Sequence, residues 1–390
     1  MRPLLITSLL ASLLGLTSAA RAEDASSETT STEPTEGARG ALNLDDVKEK
    51  ATLFWVYGGV DITWWGLEWG DQSEDNRGIL GGYARETDPY VMKNLEAGLK
   101  IAGFEIGLGY LTDKLGKFLN FSDSDELDST EDPVSRTLRG YISYLPPIPS
   151  LRFQTNLTLR RFESRATVLG RRSLSGPPLA QTYVPYEGDA QVLNAGQTVK
   201  WFSTTRDVGL RAVVDVMELL EDDSHMMSAY LGYRRVDLVT PTDVTFDGSG
   251  GLTSALVGAR SICSGVELGL QSDAPREEGL SFFYDVPVYW GSFSLESQYF
   301  DATGGYCFGF GAEAGLRYQS GPFGLDFGGK YLKLGSASTP GGDAITFKKA
   351  FPTVGILGDS MTVPEGFQSA ISVARFESFS TLYVRAALAF

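Results

Sequence analysis

After its first 22 residues, the sequence has no apolar run near the roughly 20 residues that a transmembrane helix requires, which excludes a helical membrane bundle. It contains one histidine, His225, and two cysteines, Cys263 and Cys307, whose spacing fits no metal motif. Its net charge is −16, so the basic excess that would bind nucleic-acid phosphates is missing. A glycine-rich phosphate loop is also missing. These absences argue against a nucleic-acid partner, a metal or other cofactor, and nucleotide-driven transport.

The N-terminus carries the features of an export signal. Arg2 precedes an apolar run over residues 4–16, and the small-residue pattern Ala20-Arg21-Ala22 follows it. Because the run is too short to span a membrane, we predict a cleavable signal peptide over residues 1–22 rather than an uncleaved anchor. Residues 23–52 are rich in Ser, Thr and Glu, and predict a disordered acidic periplasmic linker in which residues 41–51 are compatible with a short helix.

From Leu53 onward, apolar and polar residues alternate as in strands with two different faces. Hairpins are predicted around tight connections near residues 103, 148, 205, 290 and 321, separated by long segments at residues 67–92, 112–135, 163–191 and 335–368. This pattern predicts an all-β fold, a closed antiparallel transmembrane β-barrel of about 14 strands (roughly 12–16) with short periplasmic turns and long external loops. The barrel would cover residues 53–390, and the same register places residues 241–251 on the periplasmic side.

The sense of the alternation separates a membrane barrel from a soluble sandwich, whose apolar face would point inward. The polar face here consists mainly of Gly, Ser, Arg, Glu and Gln, and aromatic residues lie near the strand ends, as at two membrane interfaces. One predicted rim contains Phe104, Tyr144, Trp201, Tyr318 and Phe323, and the other contains Tyr110, Tyr299, Phe308 and Tyr331. We therefore expect the apolar face to contact lipid and the polar face to line the interior.

The final strand carries a resemblance to a known class. Leu382, Val384, Ala386 and Leu388 alternate with Tyr383 and Arg385, and the chain stops at Phe390. This strand resembles the terminal strand of bacterial outer-membrane β-barrel proteins, a broad porin-like class, and the resemblance covers residues 53–390 as a pattern without identifying a subfamily. It implies location in the cell outer membrane of a Gram-negative bacterium, contact with outer-membrane lipid, and recognition of Phe390 by the barrel assembly machinery.

Charges are distributed unevenly on the predicted inner face. Basic residues lie on consecutive earlier strands and acidic residues on later ones, so we predict these pore-lining residues: Arg139, Arg152, Arg160, Lys200, Arg211, Arg234, Asp285, Glu296, Glu313 and Asp326. Facing walls of opposite charge would set ion preference, whereas pairing of these side chains across strands would only stabilise the wall. Glycines on the same face indicate either open volume or relief of barrel curvature.

The function that these features favour is passive diffusion of small polar or ionic solutes through an outer-membrane porin-like channel, by a protein that is not an enzyme. A homo-oligomer is compatible with this function. One alternative is adhesion or assembly through the loops, the acidic N-terminal segment, and the tryptophans Trp55, Trp64, Trp65 and Trp69. A less favoured alternative is a barrel hydrolase with His225 as general base. The two cysteines fall on the inner face of strands that are not neighbours, so both a disulfide and two buried thiols stay open.

Overall fold

The structure, a computed structural model, describes residues 53–69, 82–85, 89–101, 103–114, 133–148, 150–170, 180–219, 227–248, 251–272, 278–338, 345–354, 360–369, 371–372 and 374–389. The predicted signal peptide and linker, His225 and Phe390 lie outside the described residues. Within the described ranges, no helix is long and apolar enough to cross a membrane.

Strands dominate the described residues. In chain order they are β1 (Leu53–Trp69), β2 (Gly82–Arg85), β3 (Tyr90–Ile101), β4 (Phe104–Thr112), β5 (Arg136–Tyr144), β6 (Leu151–Gly170), β7 (Gln181–Val184), β8 (Gln191–Leu193), β9 (Thr198–Asp215), β10 (Ser228–Gly248), β11 (Gly251–Ser272), β12 (Gly279–Glu296), β13 (Asp301–Ser320), β14 (Phe323–Ser338), β15 (Ile345–Thr346), β16 (Phe351–Val354), β17 (Ser360–Val363), β18 (Gln368–Ser369), β19 (Ile371–Ser372) and β20 (Ala374–Ala389). One short helix, α1 (Val216–Leu219), follows β9.

Twelve of these strands, β1, β3–β6, β9–β14 and β20, form a closed antiparallel ring. The first strand pairs with the last, with Val60 opposite Val384, and the pairing of β10 with β11 completes the ring. Each strand of the ring pairs with a neighbour on both sides, so the sheet has no free edge, as a membrane-spanning sheet requires. The predicted closed all-β barrel is confirmed, but the ring has twelve strands rather than about 14.

Two predicted hairpins account for the difference in strand number. Residues near 205 lie inside β9, and residues near 290 lie inside β12, so each predicted hairpin is a single long strand. At Gly291 the reason is close packing, because an added Cβ would meet the backbone oxygen of Ser264 on β11. A glycine that signals a turn in sequence here lets two strands approach each other.

The two ends of the ring differ in their connections. At one end, called the turn end, lie Leu53, Ala389, α1, and the tight turns at Gly103 and Gly321. The long segments between β4 and β5, β6 and β9, and β14 and β20 lie at the other end, called the loop end. The β10–β11 hairpin, with Gly248 opposite Gly251, also has its tip at the loop end. The predicted periplasmic placement of residues 241–251 is therefore wrong.

The outer face of the ring is apolar. Exposed apolar side chains point outward from most strands of the ring, among them Leu95, Leu210, Leu231, Val288, Trp290, Phe327 and Val384. Such surface is costly in water and stable in lipid. This outer belt, on a closed ring, is the architecture of bacterial outer-membrane barrels, and it confirms the predicted class and location in the outer membrane.

The predicted aromatic rims are correct for most residues. Phe104, Tyr318 and Phe323 are exposed outward at the turn end, and Phe308 is exposed outward toward the loop end. Trp201 is an exception, because the continuous β9 turns it into the lumen, where it is buried. Tyr299 is a second exception, since it follows β12 and packs edge-on against Phe351.

An apolar layer closes around the loop end of the lumen. It combines inward side chains of the ring with short strands from the long segments, in particular β7, which pairs in parallel with β11. Tyr183 and Val184 of β7 are fully buried, and so are Phe300 and Phe351. Ring contacts join Phe347 to both phenylalanines, at centroid distances of 5.6 and 5.5 Å. We call this packed region the loop-end layer.

Candidate functional site in the barrel lumen

The lumen changes character along its length. Near the turn end, the inward positions of β9 and β12 carry Arg211 and Asp285, and farther along the same strands they carry Trp201 and Phe293. The polar half of the lumen contains a cavity of about 790 Å³. Eight basic and five acidic side chains of the described residues line it, so its walls have a net positive charge although the whole chain is acidic.

A buried salt-bridge network joins β9, β10, β11 and β12 on one wall. Glu267 accepts hydrogen bonds from Arg211 at 2.8 and 3.0 Å and from Arg234 at 3.0 Å. Arg234 also donates to both oxygens of Asp207, at 2.9 and 2.6 Å. Asp285 accepts a bond from the Tyr230 hydroxyl at 2.8 Å and contacts Arg211 at 3.5 Å. We call this set the Glu267 network, and its charges largely neutralise one another.

The adjoining wall, formed by β13, β14, β20 and β1, carries separate pairs. Arg385 donates to Asp61 at 2.8 Å, which links the strands that close the ring. Arg317 donates to both oxygens of Asp326, at 2.8 and 2.9 Å. Glu313 accepts bonds from Lys330 at 3.0 Å and from the Tyr383 hydroxyl at 2.9 Å. The prediction of a basic wall facing an acidic wall is therefore wrong, because most of these charges are paired across neighbouring strands.

Arg139 and Arg160 differ from Arg211, Arg234, Arg317 and Arg385. Both line the cavity, and neither forms a salt bridge with a carboxylate of the described residues. The neighbouring acid Glu96 leans across Gly109 toward Arg139, because glycine leaves room for it. Arg160 is 8% exposed, and its Nη1 atom has no hydrogen-bond partner. Two arginines without a salt bridge are thus close together on β5 and β6.

An aromatic constriction separates the cavity from the loop-end layer. Phe162 lies between Trp65 and Phe379, with ring centroids at 5.8 and 5.4 Å. The guanidinium of Arg160 stacks over the Phe379 ring, 4.2 Å from its centroid. Behind these rings, the buried Glu377 accepts hydrogen bonds from Trp65 Nε1 at 2.9 Å and from the Ser203 hydroxyl at 2.6 Å. Any solute crossing the lumen would have to pass this level.

Inward glycines give space to aromatic rings. Trp55 lies against Gly98 and Tyr141 against Gly107, and an added Cβ at either glycine would overlap the ring. The two rings stack at 6.2 Å with an interplanar angle of 11°. The space above these glycines is therefore filled by side chains, and the prediction of open volume there is wrong.

The structure turns eight of the ten predicted pore-lining residues inward. These are Arg139, Arg152, Arg160, Arg211, Arg234, Asp285, Glu313 and Asp326. Lys200 and Glu296 point outward instead, because they lie on continuous strands at odd spacing from Arg211 and Asp285. Glu296 contacts Arg260 at 3.8 Å on the outer face. Whether the eight inward residues line a conducting pore stays a prediction.

Several lumenal residues were not predicted. Glu267, Arg317 and Lys330 share the inward phase of their strands with glycines, so strict alternation could have found them. Asp207 was assigned to a turn that does not exist. The sequence did not indicate a role for Asp61 in the lumen, because its partner, Arg385, is 324 positions away. No local pattern indicates such a pair.

The two cysteines form a disulfide inside the barrel. Cys263 on β11 and Cys307 on β13 have Cα atoms 6.0 Å apart, and the bond crosses over β12 between them. Both side chains are buried beside Tyr289 and Leu334 in the apolar part of the lumen. Of the two readings that the sequence left open, the disulfide is the one present.

Comparisons with known proteins give a limited result. No protein-family model and no curated protein matches the chain. Among solved structures, it is similar to a Pseudomonas aeruginosa FadL homologue, with 10% identity, a TM-score of 0.32, and coverage of 87% of this chain and 90% of the other. The Pseudomonas putida toluene transporter TodX gives 11%, 0.31, 87% and 90%. The Escherichia coli outer-membrane protease OmpT gives 8%, 0.26, 87% and 96%.

Proposed function

We propose that the chain is an outer-membrane channel for the passive diffusion of small polar or ionic solutes. The observation that carries this proposal is the cavity of about 790 Å³, lined by charged side chains, inside a closed ring with an apolar outer belt. Charged side chains are costly to remove from water, so this lining favours a lumen that holds water. A ring of twelve strands also lies between small barrels with filled interiors and wide porins with about 16 strands.

The aromatic constriction sets the expected behaviour of this channel. Trp65, Phe162 and Phe379 pack together between the cavity and the loop-end layer, so we expect a small conductance. Hydrophobic constrictions control conduction by excluding water. Replacing Phe162 and Phe379 with alanine would widen this level and remove the surface against which Arg160 stacks. The double variant should therefore conduct more than the natural sequence.

Planar-bilayer recording of the refolded protein tests the proposal. Folded protein is first identified by its heat-modifiable mobility on a gel. Stable ohmic steps, enlarged in Phe162→Ala/Phe379→Ala, are expected. Phe282→Ala/Phe327→Ala is the matched control, because both rings are exposed on the outer belt and should leave conductance unchanged. The channel proposal would be refuted if neither the natural sequence nor Phe162→Ala/Phe379→Ala gave conductance steps when folded.

The same channel is proposed to have no enzymatic activity. His225 lies outside the described residues, and among those described no group of three or more His, Cys, Asp or Glu side chains is placed to hold a metal ion. We expect a hydrolase assay on the refolded barrel to give no turnover. Turnover that is lost on His225→Ala would support the hydrolase alternative instead.

A further inference from the structure

Arg139 and Arg160, the two arginines without a salt bridge, lie next to each other on the cavity wall. Arg139 on β5 lies opposite Thr158 on β6, and Arg160 is the next inward residue of β6 toward the loop end. Diagonal neighbours on one face of a sheet are within reach of long side chains. Two guanidinium groups at this spacing repel each other unless an anion lies between them or nearby.

The nearest carboxylates form no salt bridge with Arg139 or Arg160. Asp207, opposite Thr158 on the other side of β6, uses both oxygens to bind Arg234. Glu377 accepts hydrogen bonds from Trp65 and Ser203 at Oε1 only, and its Oε2 has no hydrogen-bond partner, but it forms no salt bridge with Arg160. Glu96 leans toward Arg139 without forming a salt bridge with it. Asp207, Glu377 and Glu96 therefore attract these arginines from a greater distance, but among the described residues no carboxylate forms a salt bridge with either of them.

Arg160 has the donor that a bound anion would need. More than nine tenths of the residue is buried, yet it lines the cavity and its Nη1 has no hydrogen-bond partner. One face of its guanidinium rests on Phe379, which fixes the plane of the group. Thr158 and Asn156, on the same inward face of β6, add neutral hydrogen-bonding groups to the cavity wall.

We propose that Arg139 and Arg160 form a binding site for a small oxyanion, a carboxylate or phosphate group. The planar fork of arginine matches two oxygens of such a group, which a spherical chloride ion cannot offer. The inference deepens the proposed function, because it names the class of solute that the same cavity selects. The anion would sit just below the aromatic constriction, at the point where a solute pauses before crossing it.

Isothermal titration calorimetry of the folded protein in detergent micelles tests the site directly. The probes are sodium phosphate and sodium succinate, each titrated at constant ionic strength maintained with sodium chloride. Saturable binding of at least one probe is expected, and the probe that binds identifies phosphate or carboxylate as the preferred group. Arg160→Gln and Arg139→Gln should each weaken this binding at least tenfold.

Arg235→Gln is the matched control. It makes the same change in residue and net charge, but Arg235 lies on the outer face of β10 with a side chain that is 45% exposed. Its affinity for the probe should equal that of the natural sequence. Arg160→Lys keeps the charge and loses the fork, so it should bind with intermediate affinity. If Arg160→Gln fails to fold, Arg139→Gln carries the test, because Arg139 is only partly buried.

Calorimetry and bilayer recording test the oxyanion site and the channel separately. No saturable binding of either probe, or equal weakening by Arg235→Gln, would overturn the oxyanion site. Failure of the site and failure of the channel are distinguishable, because calorimetry does not depend on conduction. Binding without conductance steps would leave the site and refute the channel, whereas steps without binding would leave the channel and refute the site.

Discussion

Replacing Glu267 with glutamine removes the charge at the centre of the Glu267 network. Glu267 is fully buried and accepts three hydrogen bonds from Arg211 and Arg234. Glutamine has nearly the same shape, so packing is preserved while two buried guanidinium groups lose a shared counter-charge. Arg234 retains Asp207, whereas Arg211 keeps only the longer contact with Asp285 at 3.5 Å.

The expected loss of folding free energy follows from this geometry. Breaking a buried ion pair by removing one partner costs about 3–5 kcal/mol. Because Asp207 and Asp285 still partner the two arginines, we expect Glu267→Gln to cost about 3 kcal/mol, the lower end of that range. Glu296→Gln is the matched control, since its side chain is 41% exposed and its one contact, with Arg260, is 3.8 Å long. An exposed pair of this kind contributes about 0–1 kcal/mol.

Urea unfolding of the barrel in lipid vesicles, followed by tryptophan fluorescence and gel mobility, measures both variants. The midpoint should fall clearly for Glu267→Gln and remain close to that of the natural sequence for Glu296→Gln. Equal losses in the two variants, or a loss below about 1 kcal/mol for Glu267→Gln, would refute the reasoning that this network stabilises the wall.

Three further predictions concern other parts of the molecule. Val286→Lys, in the middle of the outer belt, should cost about 2–4 kcal/mol, and Ser292→Lys beyond its edge about 0–1 kcal/mol, as measured by the same urea titration; equal costs would contradict the belt. Cys263→Ala/Cys307→Ala should lower stability by about 2–4 kcal/mol, seen as a lower temperature for the gel-mobility shift, and an unchanged temperature would argue against the bond. Burial raises the pKa of Asp113, against the opposing hydrogen bond from the Ser135 backbone N–H, so the folded chain keeps this proton to higher pH than the unfolded chain. Protonation of Asp113 therefore stabilises the fold fully below the usual aspartate pKa of about 3.9, and this stabilisation is lost as pH rises through the raised pKa. Asp113→Asn cannot ionise, so in urea titrations across this pH range it should not show that loss of stability.

The ring itself was predictable because alternation is a direct consequence of strand geometry. Leu95, Ala97, Leu99 and Ile101 share one phase of β3, and the apolar residues of β4 continue it, so this phase predicted the outward direction of Leu95 and Leu108 correctly. The prediction failed where the outer belt ends. The polar run at residues 203–207 was interpreted as a turn, but these residues lie toward the loop end of β9, where the outer face is no longer apolar.

The candidate site was predictable only in part. Alternation correctly turned Arg139 and Arg160 inward, because both strands lie within a well-defined hairpin. It could not show which arginines are neutralised, since salt bridges depend on register between strands. Arg211 meets Glu267 although β9 and β11 are not adjacent in the ring, and β10 with Gly232 lies between them. The distinction between paired and unpaired arginines therefore required the three-dimensional arrangement.

The disulfide that crosses over β12 constrains the biogenesis of the protein. Cys307 is fully buried and Cys263 nearly so, within a closed ring and beneath packed aromatic side chains. An enzyme that oxidises thiols is too large to enter that space, and disulfide exchange requires direct access to sulfur. Oxidation by such an enzyme therefore requires that β11, β12 and β13 are still accessible, before the ring closes. Once the barrel is complete, the same enclosure protects the bond from large reductants. The oxidation state of the two cysteines in the folded protein therefore indicates whether they were oxidised before the ring closed.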